Sequence, residues 1–403
     1  MADLIGLSSI ALVSLFTLIL SLRVPILSKI LFVALLIRVS LILYGHYISP
    51  LPDSTADAES FDGDAWRYGK HGFINLIHNY TGPSPYFLSW LIGIPYSFFG
   101  RSVMMAQSIS MFFGIGCIYL GWLLSKEIWG DHIAVKVGWT IALFPSLALY
   151  SVLFLREVYI VFFLLLGLYG LTYWMKTYSF KSIIISSIGF LGTIFFHGGL
   201  MVGALIFMVI VGTISLLTFF KSFINLKINY KSLIITLFFI TIIQAYLSNK
   251  FSVPYFGYFK SATEIGNIQN RTDIATRGTA SWPEWTTINS PIEIFYKGPL
   301  RSLYLIYAPF PWDVNKLRHL IGMLDGLLYM YLSYLILRNI KVIFNDPILR
   351  IFLLLVLAYI FVFGIGVGNF GTGIRHRSKF VVILILLAAP FLKKFIFFKK
   401  VKN

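Results

Sequence analysis

The sequence is short of charged residues and of cysteine. Only 12% of the 403 residues are Asp, Glu, Lys or Arg, whereas a soluble globular chain carries about a quarter. Cys117 is the only cysteine, and it lies in an apolar run. These scarcities exclude an ordinary soluble domain, an intrachain disulfide and a cysteine-based metal site.

Acidic residues are scarcer than basic ones, and the formal net charge is +17. Much of the excess lies in short segments beside apolar runs and in a tail that holds Lys393, Lys394, Lys399, Lys400 and Lys402. Such clusters next to apolar spans mark cytoplasmic ends that face anionic lipid. We therefore expect these charges to meet membrane lipid and not nucleic acid.

Hydrophobic residues make up 58% of the chain, and they recur in runs of about 20 residues, each long enough to span the hydrocarbon core. No basic residue precedes the first run and no clear cleavage site follows it, so we interpret it as a span. We predict an all-α, polytopic membrane helix bundle that forms one integral membrane domain over residues 1–403. Its eleven predicted spans are 4–22, 25–45, 103–124, 134–152, 157–175, 182–197, 199–219, 232–248, 318–337, 347–366 and 379–394.

A further apolar stretch, 84–100, is interrupted by prolines. If it does not cross, the short basic loops and the lysine tail share one side, as the distribution of positive charge requires. We therefore predict an outer N-terminus, a cytoplasmic C-terminus, and a re-entrant or interfacial helix over 84–100. The outer side then holds the loops 46–100, 248–317 and 366–378.

The first outer loop concentrates acidic residues. Five of the sixteen acids of the chain lie within twelve residues: Asp53, Asp57, Glu59, Asp62 and Asp64. One interpretation is a solvated acidic loop. The other is a general base or a carboxylate set that holds a divalent cation at the membrane surface.

The segment Phe61–Tyr68 resembles the D-x-D-x-x-x-Y opening of GT-C membrane glycosyltransferases of the protein-mannosyltransferase type. The resemblance continues to about residue 200, through Leu143–Ser146 and Leu153–Glu157. It implies a GT-C-like fold and sugar transfer from a polyprenyl-phosphate carrier at the outer leaflet, with a first-loop acid as catalytic base. Asp62, Asp64 and Glu59 are the candidates. The chain departs in having one extra span before the loop, and Glu157 where Asp is expected, which leaves the choice of base open.

The second half resembles a different group. Gly371–Lys379 is similar to the last outer-loop motif of Wzy-type O-antigen and capsule repeat-unit polymerases. The segments around Arg301 and Ala308–Trp312 also resemble parts of envelope-polysaccharide polymerases. This resemblance covers about 80 residues and implies that the chain joins lipid-linked repeat units.

Arginine fits the chemistry of such a reaction, because its planar guanidinium makes two-pronged contacts to phosphate oxygens. Gly371 and Gly373 are expected to let the backbone approach a ligand closely. An anchor at the membrane surface is the alternative for the 375–379 cluster, and each arginine alone has a structural alternative. The candidates for binding a diphosphate are Arg156, Arg271, Arg277, Arg301, Arg375 and Arg377.

Histidine and aromatic residues complete the predicted site. His197, in a tight turn between two spans, is either a satisfied buried histidine or a proton acceptor. Tyr68, His376 and Trp312 are candidates for substrate binding, while aromatic belts at the membrane interface offer another explanation for such side chains. We expect Arg38 and Asp325, which fall inside spans, to pair with neighbours.

Together these features favour a glycosyltransferase that uses polyprenyl-(di)phosphate-linked glycans at the outer face of the bacterial inner membrane, foremost a repeat-unit polymerase. The expected partners are the lipid-linked sugar or oligosaccharide, a chain-length regulator and a flippase. The alternatives are a transferase that uses a single sugar on a polyprenyl monophosphate and a lipid-linked oligosaccharide flippase. A flippase predicts charges along a path through the spans, whereas here they gather on one side.

Overall fold

The computed structural model describes residues 1–80, 86–225, 230–247, 280–314 and 317–393. Within these ranges the regular structure is helical, and one isolated antiparallel bridge joins Ser281 to Asn369. Arg271 and Arg277, two of the predicted diphosphate ligands, lie outside the described residues. The same holds for most of the predicted loop 248–317.

The helices of the first half, in chain order, are α1 (Ala2–Arg23), α2 (Ser28–Tyr47), α3 (Asp57–Gly69), α4 (Phe73–His78), α5 (Phe87–Phe99), α6 (Val103–Trp129), α7 (Asp131–Leu143), α8 (Pro145–Tyr150), α9 (Glu157–Thr177) and α10 (Phe180–Phe196). Those of the second half are α11 (Met201–Ile224), α12 (Tyr230–Leu247), α13 (Glu293–Tyr307), α14 (Leu317–Arg338), α15 (Ile340–Asn345), α16 (Pro347–Gly366), α17 (Phe370–Ser378) and α18 (Val381–Ala388).

Among the described residues, seven helical segments are long and apolar enough to cross a membrane. They are Ala2–Arg23, Pro25–Tyr47, Val103–Trp129, Glu157–Thr177, Gly198–Ile224, His319–Arg338 and Pro347–Gly366. Each coincides with one of the predicted spans. The chain is therefore a multi-pass, all-α membrane protein, as predicted, while the count of eleven spans remains a prediction.

Other predicted spans differ in form from single long helices. The span 134–152 is wrong as one helix, because it breaks into α7 and α8 at Pro145. Proline removes a backbone donor and pushes the residue before it out of the helical region, and Phe144 is extended with ψ 120°. The span 379–394 contains only the eight residues of α18 before a short 3-10 turn over Ala389–Phe391. Helix α5, within the predicted re-entrant stretch, has 13 residues and is too short to cross alone.

The predicted acidic loop is largely helical. Helix α3 carries four of its five acids, since Asp53 precedes the helix, and its buried face, which includes Phe61 and Ala65, packs against α5. The two helices approach closely because glycines meet at the crossing: a Cβ on Gly69 would lie 2.6 Å from the carbonyl oxygen of Gly93. This crossing fixes the height and rotation of the acidic residues.

Helix α18 lies in the interior of the protein. All of its residues are buried, as expected for a helix that is apolar on every side. The indole of Trp129 donates a hydrogen bond to the carbonyl of Leu386 at 3.0 Å, which ties α18 to the end of α6. Because α17 leads directly into α18, the basic residues of α17 are carried into the interior as well.

The segment 366–378 was expected to be a loop, yet most of it forms α17. The helix begins at Asn369, whose side chain accepts a hydrogen bond from the backbone N–H of Thr372 at 2.8 Å. Added Cβ atoms at Gly371 and Gly373 would meet nothing closer than 3.7 Å among the atoms described, so these glycines make no close contact with the rest of the protein. Close approach of a ligand to their backbone remains a prediction.

Candidate functional site

Three motifs that are far apart in the sequence meet at Arg375. Its guanidinium pairs with Asp57 on α3, 318 residues away, and with Glu157 at the start of α9 at 3.5 Å. The ammonium of Lys379 lies 3.6 Å from the same Glu157 carboxylate. We call Arg156, Glu157, Arg375, His376 and Lys379 the charged cluster. It joins the acidic motif, the 153–157 motif and the arginine motif in one place.

Glu157 is the centre of the charged cluster. The residue is 1% exposed, and its Oε2 has no hydrogen-bond partner among the described residues. It begins α9, where the partial positive charge of a helix N-terminus favours a carboxylate. A buried carboxylate nevertheless needs compensating cations, and Arg375 and Lys379 supply them. A buried, charged group at the end of a spanning helix is a functional candidate by default.

The two predicted histidines lie beside these cations. The imidazole of His376 is 2.9 Å from the Lys379 ammonium through Nδ1, and its ring centroid is 5.1 Å from that of His197. Nδ1 of His197 accepts a hydrogen bond from the N–H of Gly199 at 3.1 Å, which closes the turn after α10. The structure therefore brings His197 and His376 to one site.

The pKa values of two neighbouring residues of α17 shift in opposite directions. Burial, reinforced by the charges of Lys379, His197 and the two arginines, holds the pKa of His376 well below its usual range. The imidazole is therefore neutral at neutral pH, and Nδ1 can accept from Lys379. Burial alone would lower the pKa of Arg375, but Glu157 and Asp57 outweigh it, and the net shift is upward.

Arg156 forms the side of the charged cluster nearest α3 and α10. Its guanidinium carbon lies 5.1 Å above the ring of Phe61, and Nη1 donates to the carbonyl of Phe196 at 3.4 Å. Phe196 precedes His197, so this contact ties the arginine to the histidine turn. The sequence placed Arg156 only at the end of a span, whereas the structure places it next to α3.

A cavity of about 230 Å³ lies beside α3, and Glu59, Asp62 and Arg101 line part of it. We call it the acidic cavity. Asp62 is 4% exposed, and both of its oxygens are engaged. One accepts from the Tyr96 hydroxyl at 2.6 Å, and the other accepts from Nη2 and Nε of Arg101 at 2.6 and 2.9 Å. Asp62 is thus a paired, oriented carboxylate.

The two aspartates of the D-x-D motif point in different directions, as residues two apart on a helix must. Asp62 faces the acidic cavity, whereas Asp64 pairs with the exposed Arg67 at 2.8 Å. The Arg67 guanidinium lies 5.9 Å from the ring centroid of Tyr68, a half-buried side chain. Glu59, one turn before the motif, is exposed at the edge of the cavity.

Metal binding at the acidic motif was one of the sequence-based expectations. In the part of the chain that the structure describes, no three His, Cys, Asp or Glu side chains lie close enough together to hold a metal ion. Asp62 uses its oxygens for Tyr96 and Arg101, and Asp64 faces away toward Arg67. A divalent cation at this motif remains a prediction.

Two other predicted arginines are enclosed in networks of their own. Arg377 is completely buried, pairs with Asp325 at 2.8 Å, and donates to the carbonyls of Ile306, Ala308 and Gly322. Asp325 thus has the pairing expected for it.

Arg301 is 1% exposed and likewise donates to backbone carbonyls, among them Thr286 at 2.8 Å and Gly364 at 3.0 Å, with Trp282 against its guanidinium. These contacts tie α13 to the segment that precedes it and to the end of α16. Diphosphate binding by Arg301 or Arg377 remains a prediction that this arrangement does not favour.

Trp312 lies away from the charged cluster. Its ring is 71% exposed and stacks on Phe310 at a centroid distance of 4.9 Å. Its predicted contact with substrate remains a prediction. An exposed indole of this kind also fits a membrane interface.

Sequence reasoning missed Arg101 and left Lys379, Asp57 and Tyr150 without roles. Arg101 partners Asp62, and the Tyr150 hydroxyl donates to Asp53 at 2.8 Å. The signal for Arg101 was a basic residue directly before a span on the side that was predicted to lack them. The signal for Lys379 was its position inside a predicted span, where a charge needs a reason.

No family model, no curated protein and no solved structure matches this chain. Its function is therefore inferred from the geometry of the site and the chemistry of its side chains.

Proposed function

We propose that this protein is a membrane glycosyltransferase that uses polyprenyl-(di)phosphate-linked glycans at the outer face of the bacterial inner membrane. The first candidate is a polymerase of O-antigen or surface-polysaccharide repeat units. One observation carries the proposal: α3 contributes Glu59 and Asp62 to an acid-lined cavity, and it contributes Asp57 to the ion pair with Arg375 of the charged cluster. Transfer of a sugar from a phosphate carrier needs both kinds of group, an acid–base pair at the acceptor and cations at the leaving group.

The reaction breaks the bond between the anomeric carbon of the donor sugar and a phosphate oxygen. An acceptor hydroxyl forms the new glycosidic bond, its proton passes to a base, and the carrier leaves with the bonding electrons as a (di)phosphate. Asp62 is our first candidate for the base, with Glu59 second, because both line the acidic cavity. Tyr96 and Arg101 hold Asp62 in one orientation.

Arg375, Arg156 and Lys379 are the candidates for stabilising the charge on the leaving phosphate. Fixed cations in a site from which water is excluded act strongly, since they need no reorganisation during the reaction. Asp57 now occupies one prong of Arg375, and its side chain is 60% exposed. Because Asp57 is solvent-exposed whereas Glu157 is buried, Asp57 is the partner of Arg375 that a phosphate oxygen replaces more readily.

Placing the acceptor and carrier outside requires the topology that charge favours, with an outer N-terminus and a cytoplasmic C-terminus. In that orientation α3 and α17 lie toward the outer leaflet, where a flippase would deliver lipid-linked units and a chain-length regulator would meet the growing product.

The size of the acidic cavity favours a second candidate, a transferase that uses one sugar on a polyprenyl monophosphate. Its volume of about 230 Å³ is below the roughly 300–1,000 Å³ of sites for drug-sized ligands. One sugar unit fits this space better than an oligosaccharide does. The two candidates share the same acid and cations and differ in the donor they accept.

The test is transfer in proteoliposomes that hold the purified chain, with either a diphosphate-linked repeat unit or a monophosphate-linked sugar as donor. Asp62→Asn should lower the transfer rate by roughly 10²-fold or more, the scale of general-base catalysis. Asp64→Asn is also expected to lower it, and Glu59→Gln less. Lys70→Gln, at an exposed position at the end of α3, is the matched control and should transfer at the wild-type rate. Wild-type rates in both aspartate variants, at normal protein level, would leave a solvated acidic helix as the better explanation.

A further inference from the structure

One polar side chain in the wall of the acidic cavity remains unexplained by the reaction. Gln107 lies in the second turn of α6, is 8% exposed, and lines the cavity. Its Oε1 has no hydrogen-bond partner among the described residues. A buried amide oxygen without a partner is expensive, so such a group calls for a ligand or an ordered water.

The walls of the acidic cavity differ in character. Apolar side chains, among them Val103, Leu153 and Phe154, form one part. Polar side chains form the other, and they comprise Ser54, Glu59, Asp62, Arg101 and Gln107. A pyranose has the same two characters, because its ring carries apolar C–H groups and its edge carries hydroxyls that both donate and accept hydrogen bonds.

The acidic cavity and the charged cluster differ in the sign of their charge. The Arg101 guanidinium is already paired with Asp62, and Glu59 adds a further negative charge at the edge. A phosphate would meet net negative charge here, whereas a neutral polyol would meet acceptors and donors. The phosphate is therefore better placed at Arg375.

We propose that the acidic cavity is a subsite for one neutral sugar unit, with Gln107 as the residue that recognises a sugar hydroxyl. The inference rests on the proposed function and deepens it, since it assigns the sugar and the carrier phosphate to separate subsites. Gln107 accepts a hydrogen bond from a hydroxyl through Oε1, and the apolar wall packs against the ring. Asp57 and Glu59, two residues apart on α3, then mark the two subsites.

The experiment is saturation-transfer NMR on the full-length protein in lipid nanodiscs, with methyl glycosides of glucose, galactose, mannose, rhamnose and N-acetylglucosamine as probes. Gln107→Met keeps the length of the side chain and removes its amide. Val103→Trp fills the mouth of the cavity from a position that is 40% exposed, which spares the core. Thr172→Val is the matched control, because Thr172 is buried on α9 with an unpaired Oγ1 in the described structure and does not line the cavity.

We expect saturable binding of at least one glycoside. Gln107→Met should raise its Kd roughly threefold to tenfold, the effect of one lost hydrogen bond. Val103→Trp should abolish binding, and Thr172→Val should leave it unchanged. No saturable binding of any probe would overturn the inference, as would binding that survives both cavity variants.

The binding assay needs no turnover, so it separates this inference from the proposed function. Binding that responds to Gln107→Met in a protein that transfers no sugar would overturn the glycosyltransferase proposal and keep the subsite. Transfer activity together with glycoside binding that is unchanged in both cavity variants would overturn the subsite and keep the glycosyltransferase proposal. Methyl glucoside 6-phosphate tests the charge argument: if it binds more tightly than methyl glucoside and is lost in Val103→Trp, the subsite is not one for a neutral sugar.

Discussion

Arg375 and Arg377 stand two residues apart on α17 and occupy opposite kinds of surroundings. Arg375 reaches the exposed Asp57 and the buried Glu157, beside other cations. Arg377 is enclosed by Asp325 and three backbone carbonyls. Two residues along a helix are about 200° apart around its axis, so one motif serves two regions. A run of basic residues can thus place one group in a candidate site and another in a network that holds the helix in place.

The largest expected effect lies on the Arg377 face and concerns stability. Arg377→Ala leaves Asp325 charged, buried and unpaired, which should destabilise the fold by about 3–5 kcal/mol. We expect a lower thermal midpoint in detergent and less protein in the membrane, with transfer per folded molecule close to wild type. The double variant Arg377→Met with Asp325→Leu removes both charges and should recover part of the loss. If the Arg377→Ala protein has normal stability but transfers no sugar, Arg377 acts in the reaction and not in the stability of the fold.

The next largest effect is a loss of stability at acidic pH, caused by His376 beside Arg375. Its pKa in the folded protein lies well below the usual value of about 6.5, which applies to the unfolded chain. As the pH falls below about 6.5 the unfolded chain takes up a proton that the folded protein does not, so stability decreases. The limit for one group is about 1.4 kcal/mol per pH unit.

The measurement is the thermal midpoint between pH 7 and 5. His376→Gln should lose less stability over this range than the wild type. His78→Gln removes an exposed histidine and should behave like the wild type. Equal acid sensitivity of wild type and His376→Gln would show that His376 titrates normally, and the picture of a neutral imidazole among cations would fail.

The smallest effect is expected at Asp57. Asp57→Asn removes an exposed partner of Arg375 and should change stability by no more than about 1 kcal/mol. The same change frees one prong of Arg375, so inorganic pyrophosphate should inhibit transfer more strongly than in the wild type. Asp53→Asn, an exposed acid of the same segment that contacts Tyr150 instead, is the control. Weaker inhibition by pyrophosphate in Asp57→Asn would mean that Asp57 does not compete with the phosphate.

Much of the fold was readable from the sequence, since runs of apolar residues predict membrane helices directly. The break at Pro145 was also encoded, because a proline in the middle of an apolar run interrupts a helix. The helical state of 370–378 was not: its glycines and its charges argue against a helix, and the packing of α18 in the interior overrides them. The position of α17 and α18 in the interior depends on contacts between distant segments, and the periodicity of apolar residues does not predict such contacts.

The candidate site was predicted as separate pieces. Asp62 was identified from the density of acids and the GT-C resemblance, and Arg375 from the resemblance of its motif to that of the polymerases. Arg156 was identified because a charge at the end of a span needs a reason. The sequence could not show which arginine faces the candidate site and which is enclosed. Arg375 pairs with Asp57, 318 residues away, and Arg377 pairs with Asp325, 52 residues away. Gln107 was missed for another reason: one amide in an apolar helix gives no pattern, and only its position at the cavity identifies it.

The central claim is that Arg375 holds the leaving phosphate through geometry as well as charge. The most direct measurement is the transfer rate per folded molecule of Arg375→Lys, compared with Arg375→Ala. Lysine keeps the charge but cannot make the planar two-pronged contact, so Arg375→Lys should lower the rate roughly tenfold to a hundredfold at an unchanged thermal midpoint. Alanine should lower it further. Wild-type transfer by Arg375→Lys, with normal protein level and full-length product, would contradict the claim.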